Sequence, residues 1–296
     1  MKFDIITFMP SFIIFAWLAS IAFGLANIFG KLITKYSIAN AWLFNFFYCL
    51  MALVYTIPLA IFNNVTMPVN WSNIIYAGVA TAIEFTLYIF ALYKLDVSII
   101  GPLFNFKIGF AVILAGLFLN EILTPFQYFL ATIIFIAGIF VSIDEKMSLK
   151  SFFKLPVFLI IMSALGSALM AIFTKKAIAD NGYWSTTLGV AIVIQGCLMV
   201  TIPLFIKDLI KINKSQLLFI TGVGLVDTVG LLASNAAYAH NVSISSIIIA
   251  VPFSMIAAAV FSHFIPELLE HHTVKTYAIR FTATAVMILA ALKLSL

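Results

Sequence analysis

Apolar stretches of spanning length follow one another along this chain, separated by short breaks at Asn, Pro, Gly and Lys. They run at about 11–35, 40–62, 71–94, 97–119 and 126–143, then at about 156–178, 184–206, 216–239, 243–264 and 273–295. A helix rising about 1.5 Å per residue needs roughly 20 apolar residues to cross a hydrocarbon core about 30 Å thick. Lipid offers no hydrogen bonds to the backbone, so a spanning segment must satisfy its own amides, and long runs without two-residue alternation fit helices rather than barrel strands. The pattern predicts ten membrane-spanning helices. Lys2 followed by the run from Ile5 imitates a secretory signal, but that run continues to about Phe29 and reads as a retained first helix. The sizeable polar connection, 144–154, falls at the centre of the chain.

Matched residues recur at a spacing of about 145. Ile57-Pro58-Leu59 returns as Ile202-Pro203-Leu204, and Tyr93, Val97 and Ser98 return as Tyr238, Val242 and Ser243. Lys31 returns as Lys175, Gly78-Val79 as Gly222-Val223, and Glu121 as Glu267. The chain therefore divides into a first half at 1–145, a central loop at 146–155 and a second half at 156–296. Five helices per half is an odd number, so the second copy enters the membrane from the opposite side. The expected fold is all-α and integral to the membrane, ten transmembrane helices arranged as two inverted five-helix repeats, a plan that secondary transporters use to expose a midplane site alternately to each side.

Composition sharpens this picture. The chain is 64% hydrophobic and 9% charged, with a mean hydropathy of +1.17, more apolar surface than a soluble fold can bury. The net charge of +5 comes from lysines spread over many short loops, which argues against nucleic acid and makes charge a topology signal. By the positive-inside rule both termini lie outside, because Lys2, Lys175, Lys176 and Lys293 share one face and most other basic residues the opposite one. No polar segment is long enough for a separate nucleotide-binding or catalytic domain. Cys49 and Cys197 sit in apolar runs and read as small buried hydrophobes. Gly24 to Lys31 has five residues between its glycines and Leu32 in place of Ser or Thr, so it is not a phosphate-binding loop. His271 and His272, adjacent beside Glu270, lack metal-ligand spacing. No cofactor is expected.

Ionisable groups deep in lipid cost about 2.5–3.5 kcal/mol each on insertion scales, so they face a cavity or a partner. Four stand out: Glu84, Lys107, Asp227 and Arg280. Glu84 and Lys107 flank the turn at Leu95–Asp96 symmetrically, each roughly 17 Å from it, and so share a depth near the bilayer centre. As an ion pair they are either a permanent structural pair or one that opens, Lys107 taking a carboxylate or phosphate and Glu84 a cationic group or proton. Arg280 is placed opposite Asp227. Thr81, Glu84 and Tyr88 share one face of the third helix, and Asp227, Ser234 and Tyr238 one face of the eighth. Asn27 and Asn235 join the candidate substrate contacts because a buried amide needs several partners. The hydroxyls of Ser20, Ser163, Ser167 and Thr174, with Met170, fit either close helix packing or substrate contact. Lys31 and Lys175, near the ends of the first and sixth helices, either form a basic entrance or snorkel to headgroups.

The segment Ala91 to Thr124, ALYKLDVSIIGPLFNFKIGFAVILAGLFLNEILT, resembles the third-to-fourth helix region of the EamA family in the drug/metabolite transporter superfamily, and residues 236–269 repeat its order of Tyr, Ser, Pro and a late Glu. The resemblance implies ten helices, a cavity lined by the first, third, fourth, sixth, eighth and ninth, peripheral fifth and tenth helices, and both termini in the cytoplasm, against the charge count. Where the family pattern follows the loop Glu with a basic residue, this chain has Ile122 and Leu268. The function expected is secondary transport of a small polar metabolite, zwitterionic or anionic, by alternating access, with possible proton coupling through Glu84 or Asp227. The partners are that small molecule and the bilayer, the protein acting as monomer or homodimer in a prokaryotic inner membrane. The competing readings are a membrane enzyme on lipid-linked substrates, which would need clustered acidic or histidine ligands, and a nontransporting receptor or scaffold, which would need no polar cavity.

Overall fold

The computed structural model describes residues 12–95, 100, 103–141, 154–261 and 274–295, and all its regular structure is helical. Lys2, Asp96, most of the central loop, Glu267, Glu270, His271 and His272 lie outside the described residues. In chain order the described helices of eight or more residues are α1 (Phe12–Tyr36), α2 (Ala41–Phe62), α3 (Ser72–Lys94), α4 (Phe106–Leu119), α5 (Pro125–Val141), α6 (Leu155–Asn181), α7 (Tyr183–Met199), α8 (Lys214–His240), α9 (Val242–Ile249), α10 (Phe253–Phe261) and α11 (Val274–Ser295). Among the described residues six spans are long and apolar enough to cross a membrane: α1, α2, α3, α6, α8 and Ala278–Ser295 within α11. Shorter apolar helices cover Phe106–Leu119, Pro125–Gly138 and Tyr183–Met199.

Polar residues punctuate the ends. The Asn40 side chain accepts from the amides of Trp42 and Leu43 at the start of α2, Asn213 and Gln216 form a reciprocal capping box on α8, and Asn241 accepts from Ile244 on α9. Gly182, at φ 81°, makes the turn between α6 and α7 without the penalty a Cβ would bring.

Three expected spans are interrupted. The stretch expected as one helix over 243–264 breaks between Ile249 and Phe253, because Pro252 lacks an amide and clashes with a continuing helix. In the stretch expected at 97–119, Ile100, Leu103 and Phe104 are helical and a turn at Asn105 separates them from α4. In the stretch expected at 184–206, α7 stops at Met199 and gives way to a short 3-10 turn holding Pro203. Its repeat counterpart Pro58 is accommodated inside α2.

The helices pack α3 on α6 and α1 on α8, α4 on α6 and α1 on α9 and α10, α3 on α7 and α2 on α8. Between these pairs α2 meets α7, α4 meets α9, and α5 lies on α11. Close approach is set by small residues. A Cβ on Gly24 would stand 2.9 Å from the Ser254 amide nitrogen and 2.8 Å from Phe253 Cβ, so α1 rides directly on the start of α10. A Cβ on Gly166 would meet the Ala80 carbonyl at 3.3 Å, which keeps α6 against the backbone of α3 beside Glu84. Large apolar side chains such as Ile61, Leu117 and Phe219 point outward, as they do on a surface solvated by lipid.

Candidate functional site

Where α1, α2, α3, α4, α6, α8 and the α9–α10 break converge, they enclose a cavity with about 90 Å³ of space open to water-sized bodies. A water molecule occupies about 30 Å³ in the liquid, so this space suits a few waters. The wall carries Glu84, Lys107 and Asp227, with Asn27, Tyr88, Tyr48, Asn105 and Ser167 as polar neighbours and Phe23, Phe85, Phe104 and Phe253 as an aromatic surround. It also includes Ala250 and Val251, at the break just past α9, where the Val251 carbonyl accepts from the Ser20 hydroxyl at 3.0 Å.

Glu84 is 7% exposed, and its Oε2 has no hydrogen-bond partner. The Ser163 hydroxyl donates to its backbone carbonyl at 3.0 Å, and Ser167 presents a hydroxyl to its carboxylate. Asp227, 4% exposed, faces the Tyr48 hydroxyl. The Tyr88 hydroxyl donates to Asn27 Oδ1 at 2.7 Å, tying α3 to α1 across the wall. Two buried carboxylates therefore share the cavity with one ammonium.

Lys107 corrects the expected ion pair. Its Nζ donates to the Tyr238 hydroxyl at 2.8 Å and stands 5.8 Å from the Phe104 ring centre and 5.4 Å from that of Tyr238. It makes no salt bridge with Glu84 among the described residues, although both line the same cavity. Equal depth is a property of the backbone, whereas contact depends on side-chain direction, and Lys107 reaches away from α3 towards α8. Arg280 is likewise not paired with Asp227: it is fully buried on α11, outside the cavity wall, and its guanidinium nitrogens make no hydrogen bond. Tyr238 and Asn235 are also buried outside the wall, Tyr238 as the acceptor for Lys107 and Asn235 donating to Thr187 at 3.4 Å.

Lys31 and Lys175 both bond within the protein. Lys31 donates to the carbonyls of Leu92 and Leu95 at the end of α3, at 2.8 and 2.7 Å. Lys175 donates to the carbonyl of His240 at the end of α8 and to Glu121 Oε1, both at 2.7 Å. Glu121 completes this cluster, its Oε1 accepting from the Val242 amide at 3.0 Å and its Oε2 from the Ser243 amide at 2.9 Å. Burial pushes the Glu121 carboxyl up, but the Lys175 hydrogen bond and these two amides hold it below the usual carboxylate value. Tyr48, the phenylalanines and the capping role of Glu121 went unread in the sequence. Among 30 phenylalanines a cavity-facing ring carries no contrast, and a cap on a distant helix has no local spacing.

The profile of the EamA-like transporter family matches residues 10–143. No curated protein matches the chain. Twenty-four solved chains match its structure. One, a crystal structure of a protein, superposes with a TM-score of 0.63 over 94% of this chain and 98% of its own at 11% identity, a likeness of fold.

Proposed function

We propose that this multi-pass membrane protein, whose residues 10–143 match the EamA-like transporter family, is a secondary carrier for a small zwitterionic metabolite. The observation that carries this reading is the cavity itself. One ammonium, Lys107, faces two carboxylates, Glu84 and Asp227, inside an aromatic surround. An amino-acid-like solute meets this array with its carboxylate on Lys107 and its ammonium on Glu84 or Asp227, and an apolar side chain meets the phenylalanines. Each buried charge then exchanges one partner for another instead of being stranded. A purely anionic solute leaves two carboxylates opposing it, so the zwitterion is favoured within the broader polar class. A proton on Glu84 or Asp227 supplies the coupling ion when no ammonium is present. A polar cavity of this kind is what the scaffold reading lacks, and among the described residues no group of three or more acidic, histidine or cysteine side chains is placed for a metal-dependent enzyme.

Alternating access is supported by the packing. Exchanging each helix of 1–145 for its partner in 156–296 turns α3 on α6 into α8 on α1, and α3 on α7 into α8 on α2. The same exchange turns Lys31 on the Leu95 carbonyl into Lys175 on the His240 carbonyl. Two halves of opposite topology, each able to adopt the other's arrangement, account for both correspondences.

The reading is tested by thermal unfolding of detergent-purified protein against panels of neutral amino acids, organic anions and organic cations. A ligand at 100 times its Kd stabilises by about 2.7 kcal/mol, which moves the midpoint by several degrees. Stabilisation by zwitterions, lost in Lys107→Ala, is the expected result; stabilisation by anions alone contradicts the zwitterion.

A further inference from the structure

On the side of the cavity facing Glu121 and Lys175 the structure holds a set of buried hydroxyls without partners. Thr174 on α6 and Ser243 and Ser246 on α9 are all buried, and none of their side-chain oxygens makes a hydrogen bond. In helices such hydroxyls ordinarily fold back onto a carbonyl one turn earlier, as Thr81, Thr187 and Thr228 do here. Their positions form a line. Thr174 is two turns beyond Ser167 on α6, and Ser246 is one turn before Ile249 on α9, Ser167 and Ile249 both lining the cavity. Position 174 corresponds at the repeat spacing to Gly30 on α1, so the opposite side carries no matching hydroxyl there.

Both ends of this strip are closed by contacts between different helices. At the cavity end Lys107 on α4 reaches Tyr238 on α8. At the outer end Glu121, just after α4, accepts from the first amides of α9, and Lys175 on α6 ties Glu121 to the last carbonyl of α8. Buried polar groups without a protein partner are costly to maintain, whereas hydroxyls along a route that fills with water in another state have a reason to be there.

We propose that this strip is a collapsed permeation pathway from the cavity to the Glu121 face, and that Glu121 is the positioning residue that holds it shut by pinning the N-terminus of α9. The inference rests on the carrier reading. Release of the latch frees α9 from α4 and α6, and the strip of Thr174, Ser246 and Ser243 hydrates as the two helices part. Solute then passes between α6, α8 and α9.

The test is thiol labelling of a Ser246→Cys reporter in membrane vesicles, with Cys49→Ala and Cys197→Ala in the background and a membrane-impermeant reagent added from one side or the other. The parent reporter is expected to be protected. Glu121→Gln, which keeps an oxygen for the amides but deletes the charge, and Lys175→Met are each expected to raise the labelling rate at least about tenfold, from one side only. Lys31→Met is expected to leave the reporter protected. If Glu121→Gln does not fold, Lys175→Met carries the test. Protection unchanged in both variants, or labelling equal from both sides, overturns the pathway. Because labelling needs no substrate, a protein that opens in this way but carries no solute sinks the carrier reading and leaves the pathway standing.

Discussion

Lys107 carries its ammonium at 2% residue exposure, and Tyr238, itself fully buried, is the acceptor that makes this tolerable. Tyr238→Phe removes that acceptor and keeps the ring. The expected cost is about 1–3 kcal/mol of stability, read as a lower unfolding midpoint in detergent, with transport falling more than stability because Lys107 loses its orientation. An unchanged midpoint would mean that the 2.8 Å contact contributes nothing. Glu121 gives a prediction about pH. A carboxylate held below its unfolded value contributes stability that is present above the ordinary carboxylate range and is lost as pH falls through the lowered folded value. Read relative to the unfolded protein at each pH, because the reactive thiolate fraction falls with pH, the Ser246→Cys reporter should therefore stay protected from about pH 8 down to about pH 5 and lose protection only on further acidification. The neighbouring titratable group is His240, whose ring stacks on Phe12 at 5.8 Å, so the profile is repeated in His240→Gln. Loss of protection near pH 6 that survives this change would contradict the account. At this scale the charged residues were legible because Glu84, Lys107 and Asp227 interrupt apolar runs. Their contacts were not, since a shared depth says nothing of which way a lysine turns.

The element that most shapes the cavity is the interrupted helix. Ile249 ends α9, Phe253 begins α10, and the backbone between them lines the wall. Gly24 on α1 makes this possible by letting the start of α10 approach to backbone contact. Gly24→Leu forces α1 and α10 apart, and overpacking of this kind typically costs about 1–3 kcal/mol. The expected result is a destabilised protein whose transport is abolished, while Gly30→Ala, whose Cβ meets nothing nearer than 3.5 Å, stays close to the parent. Equal behaviour of the two variants in thermal unfolding and uptake would show that the α1–α10 contact is not special. Helix positions were legible from apolar runs because lipid leaves the backbone no alternative to a helix. The breaks were not, since Pro252 and Pro203 interrupt their runs whereas Pro58 sits within α2, and that difference is decided by neighbouring helices rather than by the proline.

Across the whole molecule, the packing of α3 on α6 and of α1 on α8, with the contacts of Lys31 and Lys175, fits the repeat proposed for 1–145 and 156–296. In the sequence the proposed repeat rests on short matches such as Ile57-Pro58-Leu59 and Ile202-Pro203-Leu204. What spacing could not convey is how the halves interlock, with each central helix lying against the other half. Both lysines are engaged on other helices and about 90 Å³ of the cavity is free. In the carrier proposed here, solute enters by opening one face at a time. The most direct measurement of this claim is counterflow in proteoliposomes preloaded with unlabelled neutral amino acids, following accumulation of labelled ones for the parent, Glu84→Gln and Lys107→Ala at matched reconstitution. The account predicts transient accumulation above equilibrium in the parent, and its loss in both variants while they remain folded. Accumulation undiminished in both variants would contradict a central charged site.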